Sequence, residues 1–196
     1  EFKDFALSFG DFGDDPFISS LPDHPNIAEI KRSANEKATP FGGTWHSDWS
    51  FMKKPPSATL LHSKIIPPVG GNTLFANTEK SFAALPEDMK NRLRNLKVIH
   101  SAKIPYADDG FYALEKEERS MKILPSKEAK ATFSHPMVKI HPETKKECLF
   151  INPVYTINIE GFSEDESQEL LWELYEHMTQ DQFVYEHVWN EDMLIM

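Results

Sequence analysis

The sequence predicts a mainly β fold, a sandwich or barrel with helices packed on its outside. Three observations carry that prediction. Strand-length apolar stretches recur along the 196 residues, and many are closed by Pro, Gly, Asn or Asp. Only one long segment, 164–178, has strong helical periodicity. The chain is 40% hydrophobic and 12% aromatic, enough for one domain with a full core or two small ones, and too apolar for disorder.

In chain order, an aromatic-rich start (Phe2, Phe5, Phe9, Phe12) leads into a Gly, Pro, Asp, Asn and Ser-rich stretch over 10–45, read as loop with short strand pieces. Residues 58–66 read as a strand, ended by Pro67-Pro68 and the turn pair Gly70-Gly71, and 72–76 as a second one. Helix follows over 81–85 and again from Pro86, with Met89, Leu93 and Leu96 at helical spacing. Residues 98–102 are strand-like. The charged stretch 106–132, centred on Glu115-Lys116-Glu117-Glu118-Arg119, reads as a solvated surface helix. The alternative is a lid or insertion over 103–133. Strands over 137–141 and 147–151 flank a hairpin turn at 142–145. Ser163 and Glu166 form a capping box for the helix 164–178, whose stripe of Leu170, Leu171, Leu174, Tyr175 and Met178 is core. The chain stops in Met193-Leu194-Ile195-Met196, which reads as a buried strand, so both ends are expected to be cut.

Charge and composition exclude several function classes. With 21 basic and 31 acidic side chains, the net charge of −10 disfavours nucleic acid and acidic membranes as partners. No apolar run exceeds four residues, so no transmembrane helix is expected. Cys148 is the only cysteine, which rules out a disulfide framework and a cysteine zinc site. No secretory signal is visible, and a cytoplasmic protein is the default.

The sharpest chemical feature is Trp45-His46-Ser47-Asp48. In an extended segment, residues two apart project to one side, so His46 and Asp48 can aim an imidazole and a carboxylate at one ion. Nitrogen and hard oxygen suit divalent iron, manganese or zinc, and with a second His they form a facial triad. The plainer reading is a loop His hydrogen-bonded to a nearby Asp. Trp45, Trp49 and Phe51 flank the pair, either as the apolar wall of a site or as ordinary core.

Those residues are the start of a resemblance. Trp45 to Phe51, Pro55-Pro56, Pro68 to Asn77, His135 to Val138, His141 to Thr144 and Leu149 to Asn152, in that order, resemble the taurine / 2,4-dichlorophenoxyacetate dioxygenase family. So do Phe9-Gly10 and the helix after Gly161, so the resemblance runs over nearly the whole chain. It implies a single domain over 1–196 with a double-stranded β-helix (jelly roll), incomplete at both ends. It implies an enzyme that uses Fe(II), 2-oxoglutarate and O2 to hydroxylate a small, often anionic, molecule, giving succinate and CO2. His46 and Asp48 match two iron ligands, and Thr73 matches the hydroxyl that meets the distal carboxylate of 2-oxoglutarate.

The family's third ligand, a His, and its carboxylate-clamping Arg match positions beyond Met196. Without them the chain as given is expected to bind iron weakly, and a missing last strand would expose a sheet edge that favours self-association. His62, His100, His135, His141, His177 and His187 are read as structural or surface residues. Trp49, Phe51 and Tyr155 are the candidate substrate-pocket walls, and Asn152 is expected to bond backbone. Gly42 stands where the taurine enzymes carry an Asn, and Trp49 replaces a smaller residue, so taurine is not the expected substrate. The competing class is a non-catalytic jelly-roll binding module or degenerate relative; a metal-dependent hydrolase fits less well.

Overall fold

The computed structural model describes all 196 residues, Glu1 to Met196. The chain opens with helix α1 (Phe2–Leu7), then strands β1 (Ser20–Leu21), β2 (His24–Ala28), β3 (Leu61–His62) and β4 (Thr73–Ala76). Helices α2 (Thr78–Ala83) and α3 (Glu87–Leu93) precede β5 (Lys97–Ser101), α4 (Lys103–Tyr106) and α5 (Phe111–Leu114). After a 3-10 turn come β6 (Thr132–Pro136), β7 (Val138–Ile140), β8 (Glu147–Leu149) and β9 (Thr156–Ile159). Helix α6 (Glu164–Met178), a second 3-10 turn, β10 (Val184–His187) and β11 (Leu194–Ile195) complete the chain. Strands outnumber helices, as expected of a mainly β fold, and are grouped in five small sheets, all paired antiparallel. No helix is long and apolar enough to cross a membrane.

The three-stranded sheet β6-β5-β9 is the centre of the scaffold. Val98 pairs with His135 on one side and Ile159 on the other. The long helix α6 packs behind it. Ser163 and Glu166 cap each other's backbone as the sequence implied, which satisfies two of the amides a helix start leaves open. Its stripe of Leu170, Leu171, Leu174, Tyr175 and Met178 is buried with Phe82, Leu93, Val98, Met137 and Ile159 in the larger of two cores. His177 Nε2 donates to the Ser81 carbonyl (2.8 Å), tying α6 to α2. The smaller core joins Phe17, Phe51, Ala102, Tyr106, Ala107, Ala129 and Tyr155.

Several local expectations are corrected. The strand expected over 58–66 shrinks to β3, whose only partner is the two-residue β11. The end of the chain forms a strand but is not buried: Leu194 is 40% and Met196 66% exposed. Residues 115–119 are no surface helix. Glu115 and Arg119 pair at 2.8 Å with little exposure, and Arg119 also donates to the Thr39 carbonyl while lying over the Tyr112 ring. The charge run is spent on tethering this stretch to residues 36–39, with Glu36 accepting from the Ser120 amide.

Leu174 is 1% exposed at the centre of the α6 stripe. Leu174→Ala is expected to lower unfolding free energy by about 3 kcal/mol through lost burial and the cavity left behind, measured by urea denaturation.

Candidate functional site

His46 and Ser47 lie in irregular chain, and a turn begins at Asp48. Ser50 donates its amide to Ser47 and Met52 to Trp49, and Trp49 takes a positive φ of 50°. The two side chains come together: His46 Nε2 lies 3.2 Å from Asp48 Oδ1. On the other edge of the ring, Nδ1 is 2.7 Å from the Thr44 carbonyl. A carbonyl only accepts, so Nδ1 must carry a hydrogen. In neutral His46 the lone pair of Nε2 would then face a carboxylate oxygen, and two acceptors in contact repel. Something positive belongs between them.

A proton can fill that role. The Asp48 hydrogen bond raises the His46 pKa, against the opposing effect of burial, with help from the Thr44 carbonyl. Burial pushes Asp48 up, but His46 and Thr59 outweigh it and hold the carboxyl below its usual range. A divalent metal can fill it equally well. Two neighbouring ligand atoms about 2.1 Å from one ion, at right angles, stand about 3 Å apart. The observed gap fits that geometry, and side-chain exposures of 28% and 42% leave the pair accessible to a small ligand. The donor set is therefore suited to a metal but supplies two protein atoms of it. No group of three metal-ligating side chains occurs in the structure.

The turn is held from two sides. Asp15 accepts from the amides of Phe17 (2.8 Å) and Ile18 (3.0 Å) and from the indole of Trp49 (3.2 Å). Burial raises the Asp15 pKa, and those three donors work against the rise. Ser50, two residues past Asp48, is fully buried in a polar network. Its hydroxyl lies 3.1 Å from His100 Nδ1 and accepts from Asn152 Nδ2 at 2.9 Å. His100 Nε2 is 3.2 Å from Thr156 Oγ1, its cross-strand partner on β9. Asn152 Oδ1 accepts from the Tyr155 amide, as expected of a residue that bonds backbone, and Tyr175 donates its hydroxyl to the Asn152 carbonyl.

Of the candidate pocket walls, Trp49 is half-buried, whereas Phe51 (6% exposed) and Tyr155 (5%) are buried in the smaller core. Tyr155 meets the His46 ring edge-on at 6.4 Å, so it backs the His46–Asp48 pair. Thr73 opens β4, after Gly70 and Gly71, both at φ 77° in the left-handed region that glycine tolerates. No hydrogen bond links Thr73 to His46 or Asp48; its hydroxyl accepts from the Trp189 indole.

Most of the remaining histidines have structural partners. His135 donates to the Met52 carbonyl, His141 accepts from the amides of its turn, and His62 faces Asp192 at 3.5 Å. His187 is buried, and its Nε2 has no partner. Sequence reasoning missed Asp15, His100 and Trp189 as supports of the site. Asp15 looked like a turn residue in Asp14-Asp15-Pro16, and nothing in local spacing joins positions as far apart as 50, 100 and 152.

A sequence model described as "Taurine catabolism dioxygenase TauD, TfdA family" matches residues 1–196. The chain belongs to this family. It is 32% identical over 167 residues to the alpha-ketoglutarate-dependent 2,4-dichlorophenoxyacetate dioxygenase of Cupriavidus pinatubonensis, a match covering 85% of this chain and 55% of that protein. Among solved structures it resembles AAD-2 in complex with Mn(II) and N-oxalylglycine (28% identity, TM-score 0.63, covering 76% of this chain and 49% of the other). It also shares the fold of a taurine dioxygenase from Burkholderia xenovorans (24% identity, TM-score 0.73, 97% and 58%). The chain spans about half the length of the curated relatives it matches.

His100 gives the scaffold a pH dependence. Burial, then the nearby His135, lowers its pKa to about 3, with Lys139 adding to the fall and the Phe150 backbone opposing it. Unfolded, the imidazole takes a proton below about pH 6.5; folded, it stays neutral. Lowering the pH therefore favours the unfolded chain. This group alone is expected to remove roughly 1 kcal/mol of stability between pH 7 and 5.5. His100→Gln should lose less stability than the parent over that interval in urea titrations at the two pH values.

Proposed function

We propose that the protein containing this chain is an Fe(II)- and 2-oxoglutarate-dependent dioxygenase that hydroxylates a small organic molecule, and that residues 1–196 are part of its jelly-roll domain. The observation that carries the reading is the facing pair His46 Nε2 and Asp48 Oδ1, 3.2 Å apart with Nδ1 already committed to Thr44. Family membership over the whole chain supports it. So does the Mn(II) and N-oxalylglycine complex of AAD-2.

In this reading His46 and Asp48 hold the iron, with a third protein ligand from beyond Met196, and Thr73 bonds the distal carboxylate of 2-oxoglutarate. Bound iron would supply O2 activation coupled to decarboxylation, yielding succinate, CO2 and the hydroxylated product. The chain's own residues do the rest. Thr44 fixes the imidazole with Nε2 turned inward, and Asp48 supplies the negative charge that favours a cation. Asp15 holds Trp49 beside the pair, where its ring can exclude water. Trp49, Phe51 and Tyr155 shape the substrate side, and residues 103–133 serve as a cover, its Tyr106 and Ala107 sharing the smaller core with Phe51 and Tyr155.

The test is turnover by the whole protein. Asp48→Ala should cut succinate release from 2-oxoglutarate by at least about a hundredfold, since it removes a charged ligand rather than tuning one. The same variant should bind Mn(II) more weakly by a comparable factor. Succinate release and Mn(II) affinity near those of the parent would overturn the ligand assignment.

A further inference from the structure

Trp189 lies just beyond β10, half-buried, with its indole N–H 2.9 Å from Thr73 Oγ1. Strands β10 and β4 are antiparallel, with His187 opposite Thr73. Directly opposed residues leave the ribbon on the same face, so the His187 ring, Thr73 and Trp189 form one cluster at the strand ends. His187 is 9% exposed and meets the indole at 4.4 Å between ring centroids, nearly perpendicular to it at 83°. A buried ring packed in that way holds the indole in one place.

The hydrogen-bond bookkeeping of this cluster has a direction. An indole N–H only donates, whereas a hydroxyl has one donor and two acceptor positions. Trp189 therefore fixes Thr73 Oγ1 as the acceptor of their bond. The single hydroxyl hydrogen of Thr73 is left for another partner, and no other hydrogen bond in the structure involves that oxygen. With one of its two acceptor positions taken, the Thr73 hydroxyl is biased toward donation, which suits a carboxylate oxygen.

We propose that Trp189 is a positioning residue for Thr73: by occupying one lone pair of Oγ1 it turns the hydroxyl hydrogen toward the distal carboxylate of the 2-oxo acid, while His187 braces the indole. This rests on the cosubstrate role given to Thr73 above. A threonine without that neighbour can present either its hydrogen or a lone pair, and part of its population is lost to the wrong orientation.

The experiment uses the whole protein loaded with Mn(II) and compares two ligands by titration calorimetry. 2-Oxoglutarate has the distal carboxylate; 2-oxobutyrate has the same 2-oxo acid head without it. Trp189→Phe, which keeps an aromatic ring and removes the N–H, should weaken 2-oxoglutarate about fivefold, the worth of one neutral hydrogen bond. It should leave 2-oxobutyrate unchanged. In a Thr73→Val background it should add no further loss. Equal weakening of both ligands, or a full additional loss in the Thr73→Val background, would reduce Trp189 to a general structural role and overturn the proposal. So would unchanged 2-oxoglutarate affinity in Trp189→Phe when Thr73→Val binds more weakly.

A second measurement needs no substitution. With Zn(II) in place of Mn(II), the Trp189 indole N–H resonance should move on adding 2-oxoglutarate but not 2-oxobutyrate; no movement with either contradicts the coupling. If the unsubstituted protein binds no 2-oxoglutarate, the proposed function fails. If it binds and Thr73→Val binds equally well, only the role of Thr73, and this inference with it, fails.

Discussion

A lone pair turned toward a carboxylate is the constraint on which the site depends. The Thr44 carbonyl claims the Nδ1 hydrogen of His46, and that choice of tautomer points the unshared pair of Nε2 at Asp48. Left neutral, the arrangement is repulsive. With a cation between the two atoms it becomes attractive, and a proton and a divalent metal compete for the same place. The backbone thus stores a preference for positive charge at one point, set by a carbonyl two residues upstream of the ring.

Such a preference has value only if the turn that presents it cannot relax. The chain holds the turn from opposite sides with unlike materials. Asp15 grips Trp49 from the loop-rich N-terminal part, at the edge of the smaller core. Ser50, on the other side, is bonded into the buried network of His100, Asn152 and Thr156, which belongs to the central sheet and the loop before β9. A network of this kind is costly if any member is left unpaired, and rigid when all are satisfied. His100 meets that condition through both ring nitrogens, so the turn after His46 is anchored to the buried central sheet.

How much of this was legible in the sequence depends on the range over which the physics acts. The capping box of Ser163 and Glu166 and the stripe from Leu170 to Met178 are local signals, and α6 spans Glu164–Met178 as read. The hairpin of β7 and β8 and the strand at β5 were visible for the same reason. The pairing of His46 with Asp48 was readable from their spacing. Charge patterning misled at Glu115 and Arg119, because a run that looks solvated is paired and packed on a loop far away in sequence. The supports of the site could not be seen. Asp15 with Trp49, Ser50 with His100, and Thr73 with Trp189 are joined by tertiary contacts that leave no mark in local composition.

Nitrogen-15 NMR of the His46 ring in the whole protein reads directly which of its nitrogens carries a hydrogen. Near pH 6 without metal, both ring nitrogens should carry hydrogens, since the Asp48 hydrogen bond raises the His46 pKa. On adding Zn(II), Nε2 should lose its hydrogen and take the shift of a metal-bound nitrogen while Nδ1 keeps its own. A His46 ring whose two nitrogens are unmoved when the protein binds zinc would contradict the account.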